Sequence, residues 1–237
     1  MKLLLCGGGS GTQTVETNKV FNQIVNHSKP VLYVPLAMDE SEHTYDSCLE
    51  WINGELSKVD IPSIEMVRTF EELASKNYYD YSAIFIGGGN TYKLLKGFKD
   101  SGAFDKIKDY INNDGIVYGG SAGAIIFGYD IDSCLVMDDN DVKLEDTKGF
   151  NVLDGLSIFC HYTNEYTPEG HEEFKKYLSE YSLSREKVIA IPEEDTIYVN
   201  GNNVTIVGHR PYYDFINGNE IIHENKLNSD ESYTKKL

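Results

Sequence analysis

The segment Gly119-Gly120-Ser121-Ala122-Gly123 is a G-x-S-x-G pattern, set between the apolar runs Ile116-Val117-Tyr118 and Ala124-Ile125-Ile126. Strand, tight turn, then helix is the context in which this pattern makes a nucleophile elbow. Glycines flank such a serine because side chains there would collide with the adjoining strand and helix. The turn lifts the hydroxyl out of the sheet, and the amides at the start of the next helix face a developing oxyanion. The competing reading is a glycine-lined turn with an incidental serine. A second glycine turn, Gly87-Gly88-Gly89-Asn90-Thr91, closes the preceding strand-like run. Two neighbouring strands then end in glycine turns on one sheet edge, where parallel sheets bind ligands. One turn supplies a nucleophile and the other bare N–H donors; a phosphate-binding or merely structural loop is the alternative. Neither turn has the Lys-Ser/Thr of a P-loop or completes G-x-G-x-x-G, and Gly7-Gly8-Gly9-Ser10-Gly11 fails both patterns and reads as a tight turn.

A nucleophilic serine needs a base, and four of the six histidines follow it: His161, His171, His209 and His223. Ile158-Phe159-Cys160 reads as a strand that delivers His161 to an edge, which makes it the best placed. His171 sits at a helix start, His209 in a turn before Arg210-Pro211, and His223 among alternating apolar residues that suggest a structural role. Spacing alone leaves the choice open. The orienting carboxylate is sought among Glu193, Glu194 and Asp195, which follow a strand-like run and Pro192; an acidic cluster is otherwise solvated surface. Asp138-Asp139-Asn140-Asp141 lacks the glycine and distal glutamate of a calcium loop. No metal or cofactor is expected.

The elements that must position these residues alternate in type. Strand-like runs occur at Lys2–Cys6, Val31–Leu36, Ile64–Val67, Ser82–Ile86 and Ile116–Tyr118, with helical periodicity between them. This alternation predicts an α/β fold with a doubly wound, mostly parallel sheet. Asp130–Lys148 reads as an acidic surface excursion. Ser157–Cys160 reads as a strand and Glu172–Tyr181 as a helix. Val188–Ile191, Ile197–Val199, Val204–Val207 and Glu220–His223 read as C-terminal strands, with hairpin turns at Asn200-Gly201 and Asn217-Gly218. The reading is one domain over 1–237, with 225–237 fraying.

The 237 residues carry 21 Lys+Arg against 38 Asp+Glu, a formal charge of −17. That balance disfavours nucleic acid and anionic membrane surfaces, both of which need cationic protein. Four scattered cysteines suit a reducing compartment. No signal-like or bilayer-length apolar run occurs, and a cytoplasmic location is expected. Oligomeric state is not legible.

Ile84-Phe85-Ile86-Gly87-Gly88-Gly89-Asn90-Thr91, Gly120-Ser121-Ala122-Gly123-Ala124, His161-Tyr162 with Pro168-Glu169-Gly170-His171, and Ile191-Pro192-Glu193 occur in that order. Together they resemble the dipeptidase E (alpha-aspartyl dipeptidase) family of serine peptidases, to which cyanophycinase is related. The resemblance implies a flavodoxin-like fold of the class I glutamine amidotransferase type, with serine where those enzymes carry cysteine. It implies Ser121 as nucleophile, His161 as general base and Glu193 as acidic partner, with Glu194 as the alternative acid. The amides of Gly88, Gly89 and Ala122 would form the oxyanion hole. A small peptide is the implied substrate, with N-terminal aspartate as one option. Asp-selective members carry arginines after the Pro-Glu-Gly-His segment, where this chain has Glu172-Glu173-Phe174-Lys175-Lys176. Lysine neutralises a carboxylate but lacks arginine's bidentate geometry. Candidate substrate contacts are therefore Asn90, Lys175, Lys176 and Arg210. Two other readings compete: an α/β-hydrolase esterase, whose acid would precede His161, as Asp130 or Asp132 does; and a non-catalytic small-ligand-binding member of the scaffold, in which Ser121 and His161 would lie beyond hydrogen-bond reach.

Overall fold

A computed structural model describes residues 1–163, 167–185 and 187–225. Five parallel strands form the body of the main sheet: β1 (Lys2–Cys6), β2 (Val31–Val34), β3 (Ile64–Met66), β4 (Ala83–Ile86) and β5 (Ile116–Gly120), in the order β3-β2-β4-β5-β1. The hairpin β8 (Thr196–Asn200) and β9 (Asn203–Val207) extends it antiparallel from β1. Helices α1 (Val15–Ile24), α2 (Tyr45–Glu55), α3 (Phe70–Ser75), α4 (Thr91–Ser101) and α5 (Ala103–Asn112) cross over between strands, and the short α6 (Ala122–Ile125) follows β5.

The period of two along each strand sorts the core into layers. Leu3 and Leu5 of β1, Leu32 and Val34 of β2, Ile84 and Ile86 of β4, and Val117 of β5 all enter one cluster, packed against α4 and α5. The alternate residues Leu4, Cys6, Tyr33, Phe85 and Tyr118 enter the opposite cluster, with Phe21 of α1 and Ile52 of α2. On that face Tyr33, Phe85 and Tyr118 are cross-strand neighbours, with the rings of Phe85 and Tyr118 stacked at 4.3 Å.

The expected single sheet is divided. The strand β6 (Leu156–Phe159) does not join β1–β5. It pairs in parallel with β7 (Lys187–Ala190) in a second sheet whose other strands are β10 (Tyr212–Ile216) and β11 (Asn219–His223), in the order β11-β10-β7-β6. The crossover between β6 and β7 is α7 (Pro168–Ser184), which encloses a third cluster around Phe159, Tyr162, Phe174 and Phe215. Pro168 at the first helical position and the Thr167 side chain, which accepts from the Gly170 amide, start α7 four residues before the expected Glu172. The hairpin β10 (Tyr212–Ile216) and β11 (Asn219–His223) turns at Asn217 and Gly218, both at positive φ, as the Asn-Gly pair predicts.

The 130–148 stretch is a surface excursion with a buried root, exposed at Asp139, Asp141, Glu145 and Asp146. Ile131 and Cys134 are fully buried, Asp130 is 4% exposed, and the Asp138 carboxylate accepts from the Thr91 amide and hydroxyl at the start of α4. Of the stretch 225–237, Asn225 alone is described; its side chain donates to Asp195.

Candidate active site

Three adjacent strands, β4, β5 and β1, end in the glycine turns 87–89, 119–120 and 7–9 along one sheet edge. Ser121 sits at the tip of the middle turn with φ 52° and ψ −115°, outside the regions ordinary residues favour. Its amide donates to the Cys6 carbonyl at 3.1 Å, which ties the elbow to β1. A Cβ on Gly119 would strike the Gly123 carbonyl, and one on Gly123 would strike the Ile86 carbonyl. Those backbones touch, so both outer glycines of the motif are required by close approach.

His161 comes from the second sheet. The chain leaving β6 runs through Cys160 and places the His161 amide on the Gly7 carbonyl at 3.2 Å, with His161 at φ 60°. The imidazole Nε2 lies 2.8 Å from Ser121 Oγ, and Nδ1 lies 2.8 Å from Glu193 Oε1. Glu193 follows β7 and Pro192, and Gln13 Nε2 donates to its other oxygen, Oε2, at 3.0 Å. The hydrogen bond with His161 holds the Glu193 carboxyl below the ordinary glutamate value, and the Gln13 contact acts in the same direction. Glu193 is thus ionised wherever a histidine titrates. Ser121, His161 and Glu193 form one continuous hydrogen-bonded series drawn from both sheets.

The 7–9 turn is the bed of this series. Gly8, at φ 106°, lies flat against the His161 ring; the Gly7 amide donates to the Asp195 carbonyl and the Gly9 amide to the Glu193 carbonyl. Sequence patterns reject this segment as a nucleotide loop without indicating that it cradles an imidazole. Gln13, too, carries no motif, and nothing in the sequence pattern marks its contact with Glu193.

Gly88 faces the serine closely enough that a Cβ there would lie 3.2 Å from Ser121 Cβ and 3.7 Å from its Oγ. Gly89 has φ 130° and presses against the Ala37 backbone. Among the described residues no hydrogen bond engages the amides of Gly88, Gly89 or Ala122. Asn90 has a different task from the expected one: its Oδ1 accepts from the Lys93 amide, capping α4, and its Nδ2 donates to the Asp139 carbonyl.

Beside Ser121 opens a cavity of about 460 Å³ on the α1/α2 face, floored by Tyr33, Phe85 and Tyr118 and walled by Trp51. Lys175, Lys176 and Arg210 do not line it. Lys175 pairs with Glu220 at 2.5 Å and Arg210 with Glu194 at 2.9 Å. That ion pair turns Glu194 away from the role considered for it, and His161 Nδ1 meets Glu193. Asp130 and Asp132, the acids an esterase arrangement would use, bind Lys148 and Arg185 instead. His171 Nδ1 lies 3.0 Å from the Tyr162 carbonyl, His209 donates its amide to Asp195, and His223 Nε2 pairs with Asp214 at 2.8 Å. Among the described residues there is no group of three or more His, Cys, Asp or Glu arranged to hold a metal, and no helix is long and apolar enough to cross a membrane.

A mostly parallel α/β sheet whose strand ends present a hydroxyl to an imidazole, and that imidazole to a carboxylate, defines a serine hydrolase. The family model of peptidase family S51 matches residues 3–207. The chain belongs to that family and is a serine-type peptidase. It is similar to peptidase E of Escherichia coli strain K12 / DH10B and of Shigella boydii serotype 18, at 26% identity over 76% of this chain and 89% of each relative. Two crystal structures share the fold at TM-score 0.69. One, from Listeria monocytogenes EGD-e, carries the name peptidase E (22% identity, 87% of this chain, 98% of that one). The other is a peptidase from an acI-B1 Actinobacterium (19% identity, 99% of this chain, 96% of that one).

Proposed function

We propose that the protein hydrolyses short peptides through a Ser121–His161–Glu193 triad. The observation that carries this reading is the pair of 2.8 Å contacts that link the three side chains in series. Glu193 fixes the imidazole with Nδ1 protonated, so that Nε2 accepts the Ser121 proton as Oγ attacks the scissile carbonyl. The carbonyl oxygen becomes an oxyanion between the amides of Gly88, Gly89 and Ala122, while Glu193 stabilises the imidazolium. His161 then protonates the departing amine as the C–N bond breaks, leaving an acyl ester on Ser121. Water, deprotonated by His161, attacks that ester and restores the serine.

A dipeptide or similarly small substrate is suggested by the dipeptidase E resemblance and by the modest cavity beside Ser121. Screening a dipeptide library, including Asp-Xaa and β-aspartyl peptides, against wild type and Ser121→Ala tests the reading. Hydrolysis by wild type that disappears in the variant supports it. Equal rates in the two proteins would sink it.

A further inference from the structure

The cavity beside Ser121 has walls suited to one kind of side chain. Its floor is aromatic, and burial pushes the Tyr33 and Tyr118 phenols up, so both stay neutral. No lysine or arginine lines it; its basic side chains are the imidazoles of His43 and His161. At one end stands the Glu55 carboxylate, which accepts from the Gly11 amide at 2.8 and 2.9 Å and from the Thr14 hydroxyl at 3.1 Å. Among the described residues no lysine, arginine or histidine pairs with it.

Asn18 lines the same cavity. Its Nδ2 donates to the Glu55 carbonyl at 3.2 Å and to the Thr14 hydroxyl at 3.3 Å. A carbonyl oxygen only accepts, so the amide is fixed with Oδ1 on the other side. That Oδ1 is buried without a hydrogen-bond partner. The cavity therefore offers an unneutralised carboxylate and aromatic faces, both of which favour a cation. A second carboxylate beside Glu55 would meet like charge with no counter-ion, inside a protein of formal charge −17.

We propose that this cavity is the specificity pocket for a basic side chain, lysine or arginine, on the acyl side of the scissile bond. The aliphatic stem lies over Tyr33, Phe85 and Tyr118, and the charged head reaches Glu55. The acyl residue is the one bonded to Ser121 Oγ in the intermediate, so its side chain enters the cavity that opens beside that atom. This assignment rests on the peptidase reading and departs from aspartate selection, which would need a cation where the structure has Glu55.

The test compares Lys-Xaa and Arg-Xaa dipeptides with Leu-, Phe- and Asp-Xaa counterparts. Lysyl or arginyl substrates are expected to exceed leucyl and phenylalanyl ones at least tenfold in kcat/KM, and aspartyl ones at least a hundredfold. Glu55→Gln keeps the acceptor for Gly11 and should lower the Lys-to-Phe ratio about tenfold. Ser47→Lys, at an exposed position on the cavity rim, should lower the same ratio. Preference for Asp or Phe in wild type, or an unchanged ratio in both variants, overturns the proposal. Calorimetric binding of Lys-Xaa and Asp-Xaa to Ser121→Ala separates pocket from chemistry. Tighter lysyl binding with no turnover by wild type upholds the pocket and removes the peptidase reading; tighter aspartyl binding removes the pocket whatever wild type hydrolyses.

Discussion

Replacing Gly8 by alanine puts a methyl group where the His161 ring now rests. The added Cβ would lie 2.5 Å from Nε2 and closer still to Cε1. Ordinary carbon contacts begin near 3.5 Å, so the imidazole must retreat by about 1 Å. It cannot do so and keep both 2.8 Å bonds, one to Ser121 Oγ and one to Glu193 Oε1. A misplacement of about 1 Å in a reacting group costs roughly 10²-fold, equivalent to about 2.7 kcal/mol of barrier. The backbone adds a separate cost, because φ 106° suits glycine and strains alanine by about 1–3 kcal/mol. In a chain of this length that lowers Tm by roughly 3–10 °C. Gly201→Ala is the control: its φ is also positive, at 60°, but nothing lies within 4 Å of the added carbon. The assay is kcat/KM on the best dipeptide, with thermal unfolding in parallel. Both variants should lose stability, and Gly8→Ala alone should lose activity by about 10²-fold or more. Activity in folded Gly8→Ala within threefold of wild type would refute the claim that this turn positions the base.

Glu193→Gln keeps the shape of the acid and removes its charge, so kcat should fall about 10²–10⁴-fold with the fold intact; a loss under fivefold would show that the carboxylate does not stabilise the imidazolium. Gln13→Leu deletes the donor to Glu193 Oε2, and a several-fold fall in kcat with little change in KM is expected, measured by steady-state kinetics. Asp195 is pushed up to about 6, chiefly by burial, so the folded chain holds its proton more tightly than the unfolded one. Between about pH 4 and 6 the unfolded state binds fewer protons, and this carboxyl costs stability increasingly as pH rises, by at most about 3 kcal/mol at neutrality. Asp195→Asn retains Oδ1 for the His209 and Arg210 amides, so Tm of the variant minus wild type should climb through that window; a flat difference would contradict the assignment. Gly123→Ala drives a methyl group into the Ile86 carbonyl and should destabilise by about 3 kcal/mol, read by denaturant unfolding.

Much of the main sheet was legible because its strands are short apolar runs separated by helical periodicity. The strand at residues 2–6 has the same limits in sequence and structure. The elbow was legible because the Gly119 and Gly123 backbones leave no room for side chains, and that constraint is written in residue type. The division into two sheets was not, since apolar Ile158 and Val188 suit either sheet and only long-range pairing decides between them. Tyr212–Ile216 escaped as a strand because Asp214 interrupts its alternation; that aspartate is buried and bound to His223. The acidic 130–148 run is surface where Asp139, Asp141, Glu145 and Asp146 lie, but charge does not reveal that Asp130 is buried, that Asp138 caps α4 or that Asp132 meets Arg185. Lys175 was placed by its distance from a motif, but its partner Glu220 is 45 residues away and no local pattern records that pairing. The Tyr33, Phe85 and Tyr118 row was in principle readable: each falls on the same face of its strand, close to the carboxyl end.

The central claim is that Ser121 is activated by His161. Labelling the folded protein with a fluorophosphonate, then mapping the adduct by peptide mass spectrometry, tests it most directly. The account predicts one adduct, on Ser121, formed rapidly in wild type and slowed by at least 10²-fold in His161→Ala. No adduct on Ser121, or equal labelling in the two proteins, would contradict it.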